Sequence, residues 1–192
     1  MKKTIITAIF ALIMTGVFAN VNPIKKVTID TEKSNVVWIG KKVTGKHTGT
    51  LNFQEGYLEM DGNTITGGLF IIDMTTLQVT DLEAGSGKEK LEGHLNSPDF
   101  FGVEKHPTAT FRITEVSSAG NDSYNLSGKL TIKGHSENIT VVLKKDGKTA
   151  ISTFSVDRTK YDIRYGSASF FDGLKNKAIN DVFELTANLV LQ

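Results

Sequence analysis

The feature that most limits what this chain can become is an alternation of apolar and polar residues with a period of two. Tyr124, Leu126, Gly128, Leu130 and Ile132 fall on one face of an extended segment, and Asn125, Ser127, Lys129, Thr131 and Lys133 on the other. Near the C-terminus Phe183, Leu185, Ala187, Leu189 and Leu191 repeat the pattern against Glu184, Thr186 and Asn188. Shorter runs do the same at Leu51/Phe53, Ile65/Gly67/Leu69/Ile71, Ala109/Phe111/Ile113 and Ile139/Val141/Leu143. A helix cannot place every second residue on one face, so these runs are strands with one apolar side. Asp61-Gly62-Asn63, Gly120-Asn121-Asp122, Lys133-Gly134-His135 and Asp146-Gly147 supply turns between them, and connections this short make neighbours antiparallel.

One window has helical character. It opens at Ser86, with Glu89 three residues on as a capping box, and carries Leu91 and Leu95 at i, i+4. Strands that are dry on one side and wet on the other leave two architectures, a sandwich or a closed barrel. The length of the segments 64–74, 123–133 and 182–191 favours the barrel. So do Gly67 and Gly128 within apolar faces, where a wall must bend or admit a ligand. The expected fold is all-β: an extended antiparallel barrel of about eight strands with one short helical segment, forming a single domain over residues 20–192.

Residues 1–19 read as a cleaved signal peptide. Lys2 and Lys3 are followed by the apolar run Thr4 to Val17 and by the small-residue site Val17-Phe18-Ala19. That run is shorter than the roughly 20 residues that span a bilayer, so stable membrane insertion is not expected. No cysteine follows the cleavage site to carry a lipid anchor, and the chain has none anywhere, which removes disulfides and thiol chemistry. Loss of Lys2 and Lys3 leaves 20 of the 22 basic residues against 21 acidic ones, a net charge of −1. Such a balance exerts no long-range pull on nucleic acid or on anionic membranes.

The residues show no constellation for catalysis, and no metal or cofactor site is expected. Of the four histidines, His47, His94, His106 and His135, none pairs with another at ligand spacing. Asp81 and Glu83 are sequence neighbours without a defined separation across a cleft. There is no G-x-S-x-G elbow, and Gly85-Ser86-Gly87-Lys88 lacks the leading glycine of a phosphate loop. Aromatic residues are the better lead. A small barrel is either filled by its own side chains or encloses an apolar ligand. Candidate pocket residues are Trp38, Phe53, Leu69, Ile71, Phe100, Phe101, Phe111, Leu126, Leu130, Phe154, Tyr161 and Phe170, with small inward residues at Gly67, Gly128 and Ala187 leaving room. Candidate rim residues are His94, Asp99, Arg158 and the lysines Lys41, Lys42 and Lys46.

The run from His94 to Phe111, H-L-N-S-P-D-F-F-G-V-E-K-H-P-T-A-T-F, closely resembles the signature segment of the YceI-like family. Gly128 to Gly134 resembles that family's G-x-L-T-I-x-G hairpin strand. Gly49-Thr50-Leu51, Gly67-Gly68, Ile72-Asp73-Met74, Asp157 to Ile163 and Asp181 to Leu185 extend the likeness over about residues 27–191. Gly102 and His106 depart from the usual residues of the segment, and residues 41–48 look like a subgroup version at a pocket entrance. The resemblance implies a lipocalin-like barrel with an elongated apolar pocket. It further implies export to the periplasm and an isoprenoid-type lipid, a polyisoprenoid or a quinone, as partner. Three functions stand open at this point: a lipid carrier, an enzyme acting on such a lipid, and a filled-barrel interaction protein. The oligomeric state is open between monomer and homodimer. N-terminal sequencing of the exported protein should read from Asn20; a chain still beginning at Met1 would contradict the cleaved leader.

Overall fold

Each alternating run becomes a strand, and the strands close on themselves. The structure is a computed structural model that describes residues 23–192, so the leader read at residues 1–19 lies outside the described residues. The strands are β1 (Lys25–Thr28), β2 (Asn35–Lys42), β3 (Gly45–Asp61), β4 (Thr64–Val79) and β5 (Thr108–Gly120). They continue with β6 (Ser123–Ile132), β7 (His135–Asp146), β8 (Thr149–Asp157) and β9 (Val182–Val190). Pairing runs from β3 through β2, β9, β8, β7, β6, β5 and β4 and back to β3, so eight strands form a closed antiparallel barrel. The ninth, β1, lies beside the far half of β3 at Tyr57–Met60, beyond the Gly45–Asn52 half that β2 occupies. Closure leaves no long sheet edge to template aggregation.

Two of the tight turns show why these residues are needed. Asn121 and Asp122 take φ of 45° and 56°, and Lys133 and Gly134 take 51° and 78°. Positive φ at both central residues gives the turn whose twist matches a hairpin. The strand directions place the long connections 80–107 and 158–181, with turns 43–44 and 133–134, at one end of the barrel. This is the lid end; turns 62–63, 121–122 and 147–148 form the floor.

Bulges correct the expected faces. In the β3–β4 ladder Met60 pairs with Ile65 but Glu59 pairs with Gly67, leaving Thr66 as an extra residue. One extra residue inverts the parity of everything after it. Ile65 faces inward, but beyond the bulge Phe70, Ile72 and Met74 do so, and Leu69 and Ile71 turn away from the interior. Gly67 and Gly128 do not make room inside either. A Cβ on Gly67 would lie 2.6 Å from the Glu59 carboxylate, and one on Gly128 would lie 2.3 Å from the Arg112 carbonyl oxygen. Both serve close approach at bends in the wall.

The helix α1 spans Lys88–Asn96, with Gly87 rather than Ser86 at its N-cap and no side-chain cap. Glu89 instead accepts a bond from the Gly85 N–H at 3.1 Å, so the expected capping box does not form. Glu92 accepts from the Val79 N–H at 2.8 Å and fastens the helix to β4, while Leu95 is buried on the barrel. A second irregularity lies between β7 and β8, which pair only over Leu143–Asp146 and Thr149–Ser152. Towards the lid the strands part, and the 3-10 turn Arg158–Tyr161 packs against β7. Tyr161 and Ile163 are almost completely buried there. Burial, with Glu137 and Asp157 nearby, pushes the Tyr161 phenol up to about 12.

Gly49 is the tightest point of the wall. A Cβ there would fall 1.8 Å from the Gln78 carbonyl oxygen and 2.4 Å from the indole ring of Trp38, its partner across the ladder. Gly49→Ala should therefore destabilise the barrel by about 1–3 kcal/mol or more, as overpacking does. It should also shift the emission of Trp38, the only tryptophan. Denaturation with fluorescence detection checks both; an unchanged midpoint and spectrum would contradict the packing described.

Candidate ligand-binding cavity

The inward face of the strands does not meet at the barrel centre. The atom-free space among them is about 1250 Å³ including its opening to solvent, yet the centre of a water-sized sphere fits into only about 160 Å³ of it. Its lining runs from Phe100 and Ile179 at the lid down to Leu143 and Ser152 near the floor, so the space is elongated along the barrel. Ser152, Arg158 and Asn180 are the polar side chains of its wall, which is otherwise apolar apart from Gly40 and the indole N–H of Trp38.

Of the candidate pocket residues, the structure brings together Trp38, Phe53, Phe100, Phe101, Phe111, Leu126, Leu130 and Phe154 around this space. It leaves out four. Leu69 and Ile71 are on the other side of the bulge, Tyr161 seals the wall between β7 and β8, and Phe170 stands on the outside, 47% exposed. Ala187 does face the cavity, together with Gly40. Lining residues not anticipated include Phe70, Ile72 and Met74 on β4, Ser152 on β8, and Ile179 and Asn180 in the lid connection. The run Phe183/Leu185/Ala187/Leu189 also lines it, and its alternation was the available signal for that strand.

The lid is built from the segment after α1. Ser97 donates its N–H and its hydroxyl to the His94 carbonyl at 3.1 and 2.7 Å, and the Phe101 N–H returns to the Leu95 carbonyl at 3.1 Å. This turn drops two rings into the barrel mouth. Phe100 and Phe101 meet edge to face with centroids 5.2 Å apart, and Phe101 meets Phe183 at 6.5 Å. His94 meets Phe100 at 5.7 Å and Tyr165 at 4.4 Å edge to face, joining the two long connections. It packs within the lid and is not on the cavity surface. Asp99 is exposed on the same turn.

Arg158 is no rim residue but the buried fastener of the lid, only 2% exposed. Its Nε–H donates to the Asn180 carbonyl at 3.0 Å, Nη1 to Ile163 at 2.7 Å, and Nη2 to Ile179 at 3.0 Å and to Asp181 Oδ1 at 3.4 Å. Its guanidinium lies over Phe100, 5.7 Å from the centroid. Burial lowers its affinity for the proton, while Asp181 and Asp157 oppose that loss. Burial would raise the Asp181 carboxyl, but the hydroxyls of Ser167 and Ser169 and the charge of Arg158 outweigh it and hold it below its usual 3.8. The Ser169 hydroxyl donates to it at 2.6 Å. Among the described residues no group of His, Asp or Glu is placed to hold a metal ion. Lys41 pairs with Glu184, and His47 with Asp81 at 3.0 Å, on the outside.

Two buried polar atoms in this wall have no hydrogen-bond partner: Trp38 Nε1 and Ser152 Oγ. Ser152 is 4% exposed. An unpartnered buried polar group costs about 1–3 kcal/mol. The arrangement can therefore enclose an apolar molecule against a wall with few polar groups.

Comparison with known proteins agrees with this architecture. The family model described as YceI-like domain matches residues 27–191. A UPF0312 protein of Azotobacter vinelandii is 29% identical over 100 residues, 52% of this chain and 50% of that protein. The chain spans about half the length, or less, of the sequence relatives it matches. Among solved structures, BcnA of Burkholderia cenocepacia superposes with a TM-score of 0.67 at 23% identity, over 84% of this chain and 98% of that one. A polyisoprenoid binding domain from Saccharophagus degradans, implicated in plant cell wall breakdown, gives 0.59 at 12% identity, over 86% and 97%. At such identities these likenesses show the fold.

The Arg158–Asp181 pair generates a prediction. Asp181→Asn should cost about 1–3 kcal/mol at neutral pH, because it removes the countercharge of a buried guanidinium. A carboxyl whose pKa is lowered by folding stabilises above its unfolded value, and that stability is lost as the pH falls through the lowered one. The difference between wild type and Asp181→Asn should accordingly shrink below about pH 4. Urea denaturation over the acid range checks this, and a constant difference would contradict the pairing.

Proposed function

The chain belongs to the YceI-like family, and on that premise we propose that it is an exported periplasmic carrier that holds a long isoprenoid lipid in the barrel interior. The observation that carries the reading is the narrow, almost wholly apolar cavity beneath the Phe100-Phe101 lid. A tail in such a space gains roughly 0.8 kcal/mol for each buried CH₂ before the cost of ordering it. Affinity then rises with tail length. The Saccharophagus barrel, described as a polyisoprenoid binding domain, supports the ligand class, and the Lys2-Lys3/apolar/Val-Phe-Ala leader supports export.

The polar atoms of the wall favour a neutral head such as a quinone over a phosphate. Arg158 has four of its N–H groups committed to carbonyls and to Asp181, whose charge already balances it. The other polar groups of the wall, Trp38 Nε1 and Ser152 Oγ among them, carry no charge.

Organic extraction of the purified protein followed by mass spectrometry tests this. An isoprenoid lipid with an uncharged oxygenated head should co-extract from the wild type. Ala187→Phe, which fills the cavity wall, should remain folded by circular dichroism and lose that lipid. An extract without isoprenoid lipid, or an Ala187→Phe protein that keeps it, would sink the proposal.

A further inference from the structure

We propose that the lid end docks on the surface of an anionic phospholipid bilayer, through residues 163–182 and the β2–β3 turn. Among the described residues eight large apolar side chains stand exposed, and five of them, Val43, Tyr165, Phe170, Phe171 and Val182, belong to these segments. Phe170 and Phe171 are 47% and 50% exposed on a turn in which both N–H groups bond the carbonyl of the fully buried Ser167. The rings are therefore held outward by ordered backbone. The two segments are tied together: the Val43 N–H donates to Ala178, the Asn180 N–H to Lys41, and Lys42 pairs with Ile179.

Charge identifies the partner. Residues 41–47 carry Lys41, Lys42 and Lys46 with no acid, and residues 163–182 carry Arg164, Lys175 and Lys177 against Asp172 and Asp181, the latter committed to the buried Arg158. Lys42, Lys46, Lys175 and Lys177 make no ion pair among the described residues. The facing connection, residues 80–107, carries six acidic residues and three lysines. The barrel end is thus polarised, with its exposed aromatics on the cationic side. Aromatic rings amid lysines suit the boundary between lipid headgroups and acyl chains, where the rings enter and the lysines meet phosphate. Ile179 and Asn180, in the same segment, line the cavity, so docking would set the lid against the membrane.

The barrel closes within the described residues, so a chain beginning at Asn20 carries the whole fold and can be tested without the apolar leader. It should co-sediment with vesicles containing about 30 mol % phosphatidylglycerol, bind pure phosphatidylcholine much less, and release as salt rises. Phe170→Ser/Phe171→Ser should weaken binding by about tenfold or more. Lys175→Gln and Lys177→Gln should each weaken it on the order of fivefold. Ile151→Ser, at an exposed apolar residue on the barrel wall, should bind as wild type, and unchanged Trp38 emission in each variant reports the fold. Three results would overturn docking: no preference for anionic vesicles, binding that survives loss of both phenylalanines, or a patch whose loss changes only self-association. Docking needs no ligand in the cavity, so its failure leaves the carrier reading untouched.

Discussion

The barrel depends on β3 finding partners along both edges at once. Its 17 residues pair with β4 along one edge and share the other between β2 and β1. Without that double engagement the sheet would remain open between β3 and β4, and the interior would be a groove in water. The long strand needs two devices to close. Bulges at Thr66 and Gln54 let the wall curve while keeping apolar side chains inward, and Gly49 lets the chain pass between the Trp38 ring and Gln78. Closure and cavity are therefore one property of the chain.

The lid follows from a second constraint, a charge placed where water does not reach. Arg158 costs free energy to bury, and its position is tenable because three carbonyls and Asp181 receive it. Those carbonyls belong to residues 163–180, so a single guanidinium fixes the connection that walls the cavity and presents Phe170 and Phe171 outside. His94, edge to face with both Phe100 and Tyr165, ties that connection to the helix segment. Closing the mouth with packed rings leaves an interior fit for an apolar chain, with polar atoms confined to a few places.

Period two and the turn residues made the strands and the barrel readable from the sequence, because both signals are local. What stayed hidden depends on distant pairing. No residue type announces the extra Thr66, so plain alternation from Ile65 points Leu69 and Ile71 inward and Phe70 and Ile72 outward. Arg158 looked like a rim group because a charged residue after a strand is usually solvated; only the fold brings Asn180, Ile179 and Ile163 around it. Tyr161 and Phe170 were aromatic residues near turns, and nothing local separates a wall plug from an exposed ring. The His94 to Phe101 turn was legible, since its proline, small residues and paired rings act within one segment.

On the carrier reading proposed above, affinity resides in a narrow apolar channel and grows with the length of the ligand. Trp38 sits in that channel as the only tryptophan, so its fluorescence reports occupancy directly. Titration with a long-chain isoprenoid quinone should quench it with saturation at one ligand per chain. A short-chain quinone with the same head should bind far more weakly. Equal affinities for the two, or no saturable quenching by the long one, would contradict the account.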